Sequence, residues 1–270
     1  MLKVSDRTRA SALESAYTYF SMQIIFGIHA VEEALTARGR RFEYVAVAPG
    51  RGDARIQKIA ILCRSAGVPL RTVPRDQLTR LAKTASHQGV VAVTGEKQYG
   101  DVEDLLAQKR GQYAFIIVLD GIEDPHNLGA IVRTAEGAGA DGVVLPERRA
   151  VGVTATVVKA SAGASEYLPI AKVTNISRAI EDLKSRNIWT VGLDERGDKR
   201  YDQIDYRMDC ALVLGAEGDG LHEQVRKKCD FLVSIPMLGK VPSLNVSVAA
   251  AVVMYEVARQ RREKQLANIK

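Results

Sequence analysis

The feature that most constrains this chain is an alternation of short apolar runs with amphipathic helical patterns from end to end. Such alternation is typical of α/β proteins with a largely parallel sheet, because parallel strands are joined by helical crossovers. Two series of this kind occur along the chain. With 270 residues, 46% of them hydrophobic, the chain is long enough to bury two modest cores. We therefore predict an α/β protein with two domains.

The first series predicts a small α/β domain over residues 22–95. It opens with MQIIFGIHAVEEAL, which reads as a natural domain start. We expect residues 1–21, which precede the first periodic pattern, to be a disordered extension. The polar stretch 96–112, with a short helical piece at 102–107, is the predicted linker. The predicted elements of this domain are helical segments at 29–36, 54–65 and 70–73 and strands at 42–48 and 90–94.

The second series predicts a larger domain over residues 113–270. Its last element is a helix that opens near Ser247 and ends in a cluster of basic residues, where positive charge suits the helix dipole. The predicted strands lie at 114–119, 142–145, 188–193, 210–214 and 231–235, with helices between them.

Basic residues concentrate in the first domain. Residues 36–83 hold eleven Lys and Arg side chains and three carboxylates, a local balance of +8 in a chain of net charge +6. This favours a module that binds a phosphate backbone, joined to a module with another role; a merely solubilising surface is the alternative. The basic residues are Arg38, Arg40, Arg41, Arg51, Arg55, Lys58, Arg64, Arg71, Arg75, Arg80 and Lys83.

Several protein classes lack support in the sequence. Apolar runs fall short of the roughly 18 residues of a membrane-spanning helix, and the N-terminus is a poor signal peptide, so we expect a cytoplasmic protein without membrane contact. Cys63, Cys210 and Cys229 have no CxxC spacing, which argues against a disulfide framework or a zinc site. The four histidines show no metal-ligand spacing either, and no metal is expected.

A literal GxGxxG occurs at Gly137, Gly139 and Gly142. The dinucleotide fingerprint must follow a strand and open a helix, whereas these glycines end a predicted helix and lead into a predicted strand. We therefore do not expect NAD to bind there. The motifs GxxxxGK[ST], HExxH and GxSxG do not occur, so P-loop nucleotidases, zinc peptidases and serine hydrolases have no support.

Three segments at or just beyond the carboxyl ends of predicted strands carry the functional information, since open α/β sheets bind ligands there. They are DGIEDPHNLGAIVRTA (120–135), LVLGAEGDGL (212–221) and IPMLGKVPSLNVSVAAA (235–251). In the first, Asp124 can cap a helix that exposes Asn127 near its start and carries Arg133 two turns along. An arginine in an otherwise apolar run needs an anionic partner or lies at the edge of a site. Taken singly, each segment is explained by caps and turns.

Together, and in this order, the three segments strongly resemble the signature motifs of the SpoU/TrmH branch of the SPOUT methyltransferases. The resemblance covers about residues 114–262, and SAGA at 161–164 followed by Glu166 fits it. Residues 24–95 resemble, less specifically, the small ribosomal-protein-like (L30e-like) α/β substrate-binding domain of many members. The layout is similar to that of bacterial 23S rRNA guanosine-2′-O-methyltransferases.

The resemblance implies a parallel-sheet catalytic domain with a C-terminal deep trefoil knot, S-adenosyl-L-methionine as cofactor, an RNA substrate and a homodimer with the cofactor pocket at its interface. General topology rules argue against any knot, so this expectation comes from the resemblance alone. The resemblance assigns the cofactor pocket to Gly215, Glu217, Ile235, Met237 and Leu244, and the reaction site to Asn127, Arg133, Glu217, Ser243 and Asn245.

The implied chemistry suits these residue types. A ribose 2′-hydroxyl is a poor nucleophile whereas the sulfonium methyl is already activated, so the enzyme mainly has to align the two and help to remove a proton. A guanidinium essentially never deprotonates in proteins, so we assign Arg133 as a phosphate clamp and not as the base. Ser243 and Asn245 would orient the hydroxyl.

Three alternatives to rRNA ribose methylation stay open at this point. The target RNA could be a tRNA. The protein could be a catalytically inactive RNA-binding member of the superfamily, although Arg133, Glu217 and Asn245 are all intact. It could also methylate a base nitrogen, although the segment with Asn127 and Arg133 favours ribose.

Overall fold

The computed structural model describes residues 22–50 and 54–267, and side chains as far as residue 262. The expected disordered extension, residues 1–21, lies outside these ranges. No helix within them is long and apolar enough to cross a membrane.

The first lobe is built on a four-stranded sheet with the order β1-β4-β2-β3. Alternate residues face opposite sides, as period-two strands require: Ile25 and Val45 face the side covered by α1 and α2, whereas Phe26 and Ala46 face α3. Its elements are β1 (Met22–Phe26), α1 (Ile28–Ala37), β2 (Phe42–Val47), α2 (Ala54–Ala66), β3 (Leu70–Thr72), α3 (Arg75–Ala82) and β4 (Val90–Gly95).

The second lobe is built on a seven-stranded sheet in which every neighbouring pair is parallel. Its order is β7-β6-β5-β10-β8-β11-β9. The strands are β5 (Phe115–Asp120), β6 (Gly142–Pro146), β7 (Ile170–Val173), β8 (Trp189–Leu193), β9 (Lys199–Arg200), β10 (Cys210–Gly215) and β11 (Phe231–Ser234). Because both faces are covered, β5 and β10 are buried along their whole length, as continuous apolar runs predict.

Helices cover both faces of this sheet. Phe115 and Ile117 of β5 face one core, and Ile116 and Val118 face the other. The predicted cap at Asp124 is confirmed: its side chain accepts a hydrogen bond from the His126 N–H at 2.9 Å, with a proline in the first turn. The helices are α4 (Val102–Ala107), α5 (Pro125–Gly137), α6 (Ala155–Ala160), α7 (Ile176–Ser185), α8 (Glu223–Lys228) and α9 (Val246–Ala267).

The prediction of a largely parallel sheet is confirmed for the second lobe and wrong for the first. There β4 pairs antiparallel with both β1 and β2, and the β2–β3 pair alone is parallel. Alternating periodicity does not record on which side of the sheet a connection returns, so it cannot fix strand direction. Strands β1, β7 and β9 were not predicted, and β3 was predicted as helical; these strands are short or merge with a following helical pattern.

A buried ion pair joins the two lobes. The Arg40 guanidinium, from the first lobe, donates two hydrogen bonds to the Glu166 carboxylate, at 2.7 Å and 2.9 Å. The side chains are 0% and 1% exposed. The assignment of Arg40 to a basic RNA-binding surface was therefore wrong, because its charge is neutralised inside the protein. Nine others of that set are exposed, and Arg51 lies outside the described residues.

The segment predicted as a linker makes specific contacts with the second lobe. Leu105 of α4 is fully buried in the core under β6 and β7, and Gly100 forms a parallel bridge with Ala171. Asp101 and Asp104 close a capping box at the start of α4. The domain boundaries 22–95, 96–112 and 113–270 stay a prediction.

Candidate active site

A cavity of about 360 Å³ opens at the carboxyl edge of the seven-stranded sheet. Three chain segments wall it, each following a strand: 193–196 after β8, 214–220 at the end of β10, and 235–246 after β11. This is the edge at which open α/β sheets bind ligands. All five residues predicted to hold the cofactor line it: Gly215, Glu217, Ile235, Met237 and Leu244.

The wall after β10 is a tight turn that only glycine permits at its base. Ala216 and Gly220 exchange two backbone hydrogen bonds of 3.0 Å, which folds the chain back on itself. A Cβ atom on Gly215 would lie 2.1 Å from the Gly220 carbonyl carbon, far inside van der Waals contact. The turn therefore holds the Glu217 side chain at a defined place on the cavity wall.

Three polar side chains form a closed hydrogen-bonded cluster at this wall. The Asn127 amide donates to one Glu217 carboxylate oxygen at 2.9 Å. The Asn245 amide donates to the other oxygen at 3.1 Å and to the Asn127 carbonyl at 3.0 Å. Because a carboxylate only accepts, both amide groups must present nitrogen to Glu217. The structure thus brings together residues that lie 118 positions apart.

The orientation of Asn245 is set by the last helix. Its side-chain oxygen accepts hydrogen bonds from the Ser247 N–H at 2.9 Å and the Ser247 hydroxyl at 2.6 Å, and so caps the start of α9. Since the oxygen is used by the cap, the amide nitrogen faces the cluster. Ser243 lies two residues earlier on the cavity wall and is exposed.

Arg133 does not join this cluster within one chain. It is exposed, and in the part of the chain that the structure describes it has neither a hydrogen bond nor an ion pair. Arg133 follows Asn127 by six residues, and at about 100° per residue this is one full turn of α5 plus roughly 240°. The two side chains therefore lie on different faces of the helix. The face with Arg133 meets α9, because a Cβ on Gly137, one turn further along, would lie 3.3 Å from the Tyr255 hydroxyl.

Comparison with known proteins decides the family. The sequence profile of the SpoU rRNA Methylase family matches residues 114–255, more than half of the chain, and that of the RNA 2′-O ribose methyltransferase substrate-binding domain matches residues 24–100. The chain belongs to the SpoU methylase family. YacO of Bacillus subtilis strain 168, assigned to the TrmH family of tRNA/rRNA methyltransferases, is 44% identical over 240 residues, which are 88% of this chain and 95% of that protein.

Solved structures of SpoU-family proteins share the two-lobed architecture. The SpoU methyltransferase AviRb from Streptomyces viridochromogenes, in complex with AdoMet, superposes with a TM-score of 0.76 at 25% identity, covering 97% of this chain and 95% of that one. A crystal structure of an RNA 2′-O ribose methyltransferase superposes with a TM-score of 0.74 at 27% identity, covering 96% and 93%. The resemblance inferred from the three motifs is confirmed.

One wall of the SpoU-family cavity was missed by the sequence analysis. Asp194 is 5% exposed and lines the cavity, where the Arg196 guanidinium donates to its carboxylate at 3.0 Å. Burial raises the pKa of this carboxyl, but the hydrogen bonds from Arg196 outweigh burial and leave the pKa below its ordinary value. The signal was available, because Asp194 directly follows a predicted strand, as the three recognised segments do.

Proposed function

We propose that this chain transfers a methyl group from S-adenosyl-L-methionine to a ribose 2′-hydroxyl of a structured RNA, and that its target is a guanosine of 23S rRNA. The observation that carries the proposal is the Asn127–Glu217–Asn245 cluster, two members of which line a glycine-walled cavity. Membership of the SpoU family and the substrate-binding profile over residues 24–100 support RNA as substrate. A tRNA target is the alternative, since YacO is assigned to a family that acts on both.

The cavity suits the proposed cofactor in size and chemistry. Its volume of about 360 Å³ lies within the range of about 300 to 1,000 Å³ usual for small-molecule sites. Ile235, Met237 and Leu244 contribute apolar lining and Glu217 and Asp219 contribute carboxylates, and carboxylates complement a ligand with sulfonium and ammonium charges. AviRb was crystallised with the same cofactor.

The bound cofactor would supply an activated methyl group, and the protein would align the hydroxyl with it. Asn245 already directs its amide nitrogen away from the cap of α9, and Glu217 offers acceptor lone pairs beyond the two in use. A ribose hydroxyl placed here could donate to the carboxylate while Ser243 and Asn245 fix its direction. Pre-set polar groups of this kind lower the barrier because they need no reorganisation during the reaction.

We propose that Arg133 acts at the interface of a homodimer. Exposed apolar side chains run from the third cavity wall on to α9: Leu238, Val241, Leu244, Val248 and Tyr255. We assign this patch to a second copy of the chain, because it is continuous with the cavity and a soluble monomer rarely leaves such a patch uncovered. Arg133 lies beside it, so association would put its free guanidinium at the interface, available to an RNA phosphate.

A close backbone contact between the loop after β8 and strand β11 is where we place the loop of the proposed trefoil knot. A Cβ on Gly197 would lie 2.5 Å from the carbonyl carbon of Val233, so the loop after β8 presses directly on the backbone of β11. The chain then continues past this loop to form the cavity wall and α9. From the family resemblance we infer that residues 235–267 thread through a loop closed at this contact.

Nucleoside mass spectrometry of RNA from a deletion strain tests the target. We expect loss of one 2′-O-methylguanosine from 23S rRNA, with tRNA unchanged. Loss from tRNA would favour the alternative. No loss from either RNA, together with failure of the purified protein to bind labelled cofactor, would indicate an inactive RNA-binding protein.

A further inference from the structure

A second cleft lies beside the candidate active site and has no part in the proposed reaction. Its volume is about 210 Å³, and it opens at the carboxyl ends of β5 and β6 next to the start of α7. Its polar lining residues include Asp120, Arg148, Arg149, Asn175, Ser177 and His222.

The cleft carries positive charge that the chain does not neutralise. Arg148 and Arg149 are exposed, and among the described residues neither makes an ion pair or a hydrogen bond. The nearby carboxylate, Asp120, is 5% exposed and is bound instead by His222, through the backbone N–H at 2.9 Å and the ring Nδ1 at 3.0 Å. Two unpaired guanidinium groups on one cleft fit an anionic ligand, since Arg recognises phosphate with paired hydrogen bonds.

The backbone of the arginine segment is held in an uncommon conformation. Arg149 has a φ of 56°, in the left-handed region that non-glycine residues seldom adopt. Such a residue persists where the surrounding structure holds it, and these positions cluster at ligand sites. The opposite wall is the first turn of α7, which Asn175 caps by accepting from the Arg178 N–H at 3.0 Å. The backbone N–H groups of Ile176 and Ser177 in that turn have no intrahelical acceptor.

One short segment separates this cleft from the active-site cavity. Gly215 of the cavity wall is in register with Asp120 of the cleft. A Cβ on Gly121, in the cleft, would lie 3.6 Å from the Ala216 Cβ in the cavity wall and 3.4 Å from the His222 ring. An RNA strand with its target ribose at the cavity would therefore pass the cleft with an adjoining part of its backbone.

We propose that the second cleft binds a backbone phosphate of the RNA substrate through Arg148 and Arg149. This inference rests on the proposed function for the choice of RNA as the ligand. The cleft is smaller than the roughly 300 Å³ at which small-molecule sites begin, which favours a single phosphodiester over a whole nucleotide. Each such contact releases condensed counterions, so it contributes to the salt dependence of RNA binding.

The test is a double variant of the full chain, Arg148→Ala with Arg149→Asn. Asparagine tolerates the left-handed conformation, so the backbone at 149 need not move. Filter binding to an unmodified 23S rRNA transcript, without cofactor, should show an affinity about ten- to a hundredfold lower. The slope of log affinity against log salt should flatten by about 0.7 to 0.9 for one lost phosphate contact. Affinity for S-adenosylmethionine should be unchanged.

The matched control is Lys109→Ala with Arg186→Ala, which removes the same charge at the opposite edge of the sheet. Lys109 pairs with Asp209 and Arg186 with Glu103, so both are surface ion pairs. We expect wild-type RNA affinity from the control. Equal RNA affinity of the cleft variant and wild type would overturn the proposal, and so would an equal loss in both double variants.

The alternative ligand for this cleft is a free phosphate ion. Titration with inorganic phosphate at constant ionic strength separates the two sources. If phosphate binds wild type but not the cleft variant while RNA affinity is the same in both, the cleft is an ion site and the proposal is wrong. If the double variant fails to fold, Arg148→Gln alone repeats the comparison. Absence of methyl transfer with RNA binding intact would count against the proposed function and not against the cleft.

Discussion

Removing the charge of Glu166 should destabilise the protein far more than removing a surface carboxylate. Glu166→Gln keeps one side-chain oxygen as an acceptor but removes the negative charge beside the Arg40 guanidinium, which is buried at 0% side-chain exposure; its other partners are the Gly95 carbonyl at 3.3 Å and the Gln23 side chain. Breaking a buried ion pair by removing one partner costs about 3 to 5 kcal/mol. For a chain of this size, each kcal/mol lowers the melting temperature by about 2 to 4 °C. The expected drop is therefore about 6 to 20 °C.

Urea unfolding followed by circular dichroism measures the change in the free energy of unfolding. Glu43→Gln is the control, because its pair with Arg41 is exposed, with side chains 34% and 71% accessible, and such pairs are worth about 0 to 1 kcal/mol. Replacing both partners, as Arg40→Met with Glu166→Met, should restore much of the loss, since no charge is left buried. A cost below about 1 kcal/mol for Glu166→Gln, equal to the control, would refute the view that this pair fastens the lobes.

Four further outcomes are expected. Arg133→Ala should change the free energy of unfolding by less than about 0.5 kcal/mol and leave cofactor affinity intact. It should slow methyl transfer about a hundredfold to a few thousandfold, a loss of about 3 to 5 kcal/mol in transition-state stabilisation, and Arg133→Lys should recover little of that rate. Unfolding of Arg133→Ala or loss of its cofactor binding would instead show that the residue has a structural role. Asn245→Asp keeps the oxygen that caps α9 but sets a second carboxylate against Glu217, so transfer should fail in a folded protein, and normal rates would contradict the cluster's role. Val248→Glu should yield monomers by light scattering if the exposed patch is the dimer interface. Substituting Arg75, Arg80 and Lys83 by alanine should weaken RNA binding and flatten its salt dependence, and unchanged RNA affinity would assign these charges to solubility.

Local sequence patterns predicted many of the helices and strands. Helix α4 was predicted with its observed bounds, and the cap at Asp124 follows from Asp-Pro before an apolar run. Strand β7 was missed because its four residues follow Pro169 and are too short to show a period. The burial of Arg40 could not be predicted, because its partner lies 126 positions along the chain and nothing local distinguishes it from neighbouring exposed arginines.

For the candidate site, the sequence identified individual residues but not the contacts between them. The motifs identified Asn127, Glu217 and Asn245 individually, but their mutual hydrogen bonds depend on how α5, the turn after β10 and the start of α9 meet. The sequence gives the six-residue spacing of Asn127 and Arg133, which places the two side chains on different faces of α5. The structure adds that Arg133 is exposed and lies outside the cluster.

The most direct measurement for the central claim uses methyl-labelled S-adenosylmethionine, the purified protein and an unmodified 23S rRNA transcript. After the reaction, the RNA is hydrolysed in alkali, which needs a free 2′-hydroxyl to cleave the adjoining phosphodiester. Ribose methylation predicts that the label appears in alkali-resistant dinucleotides that contain guanosine, and that Asn245→Asp abolishes the label. Label recovered in mononucleotides would place the methyl group on a base and contradict the account.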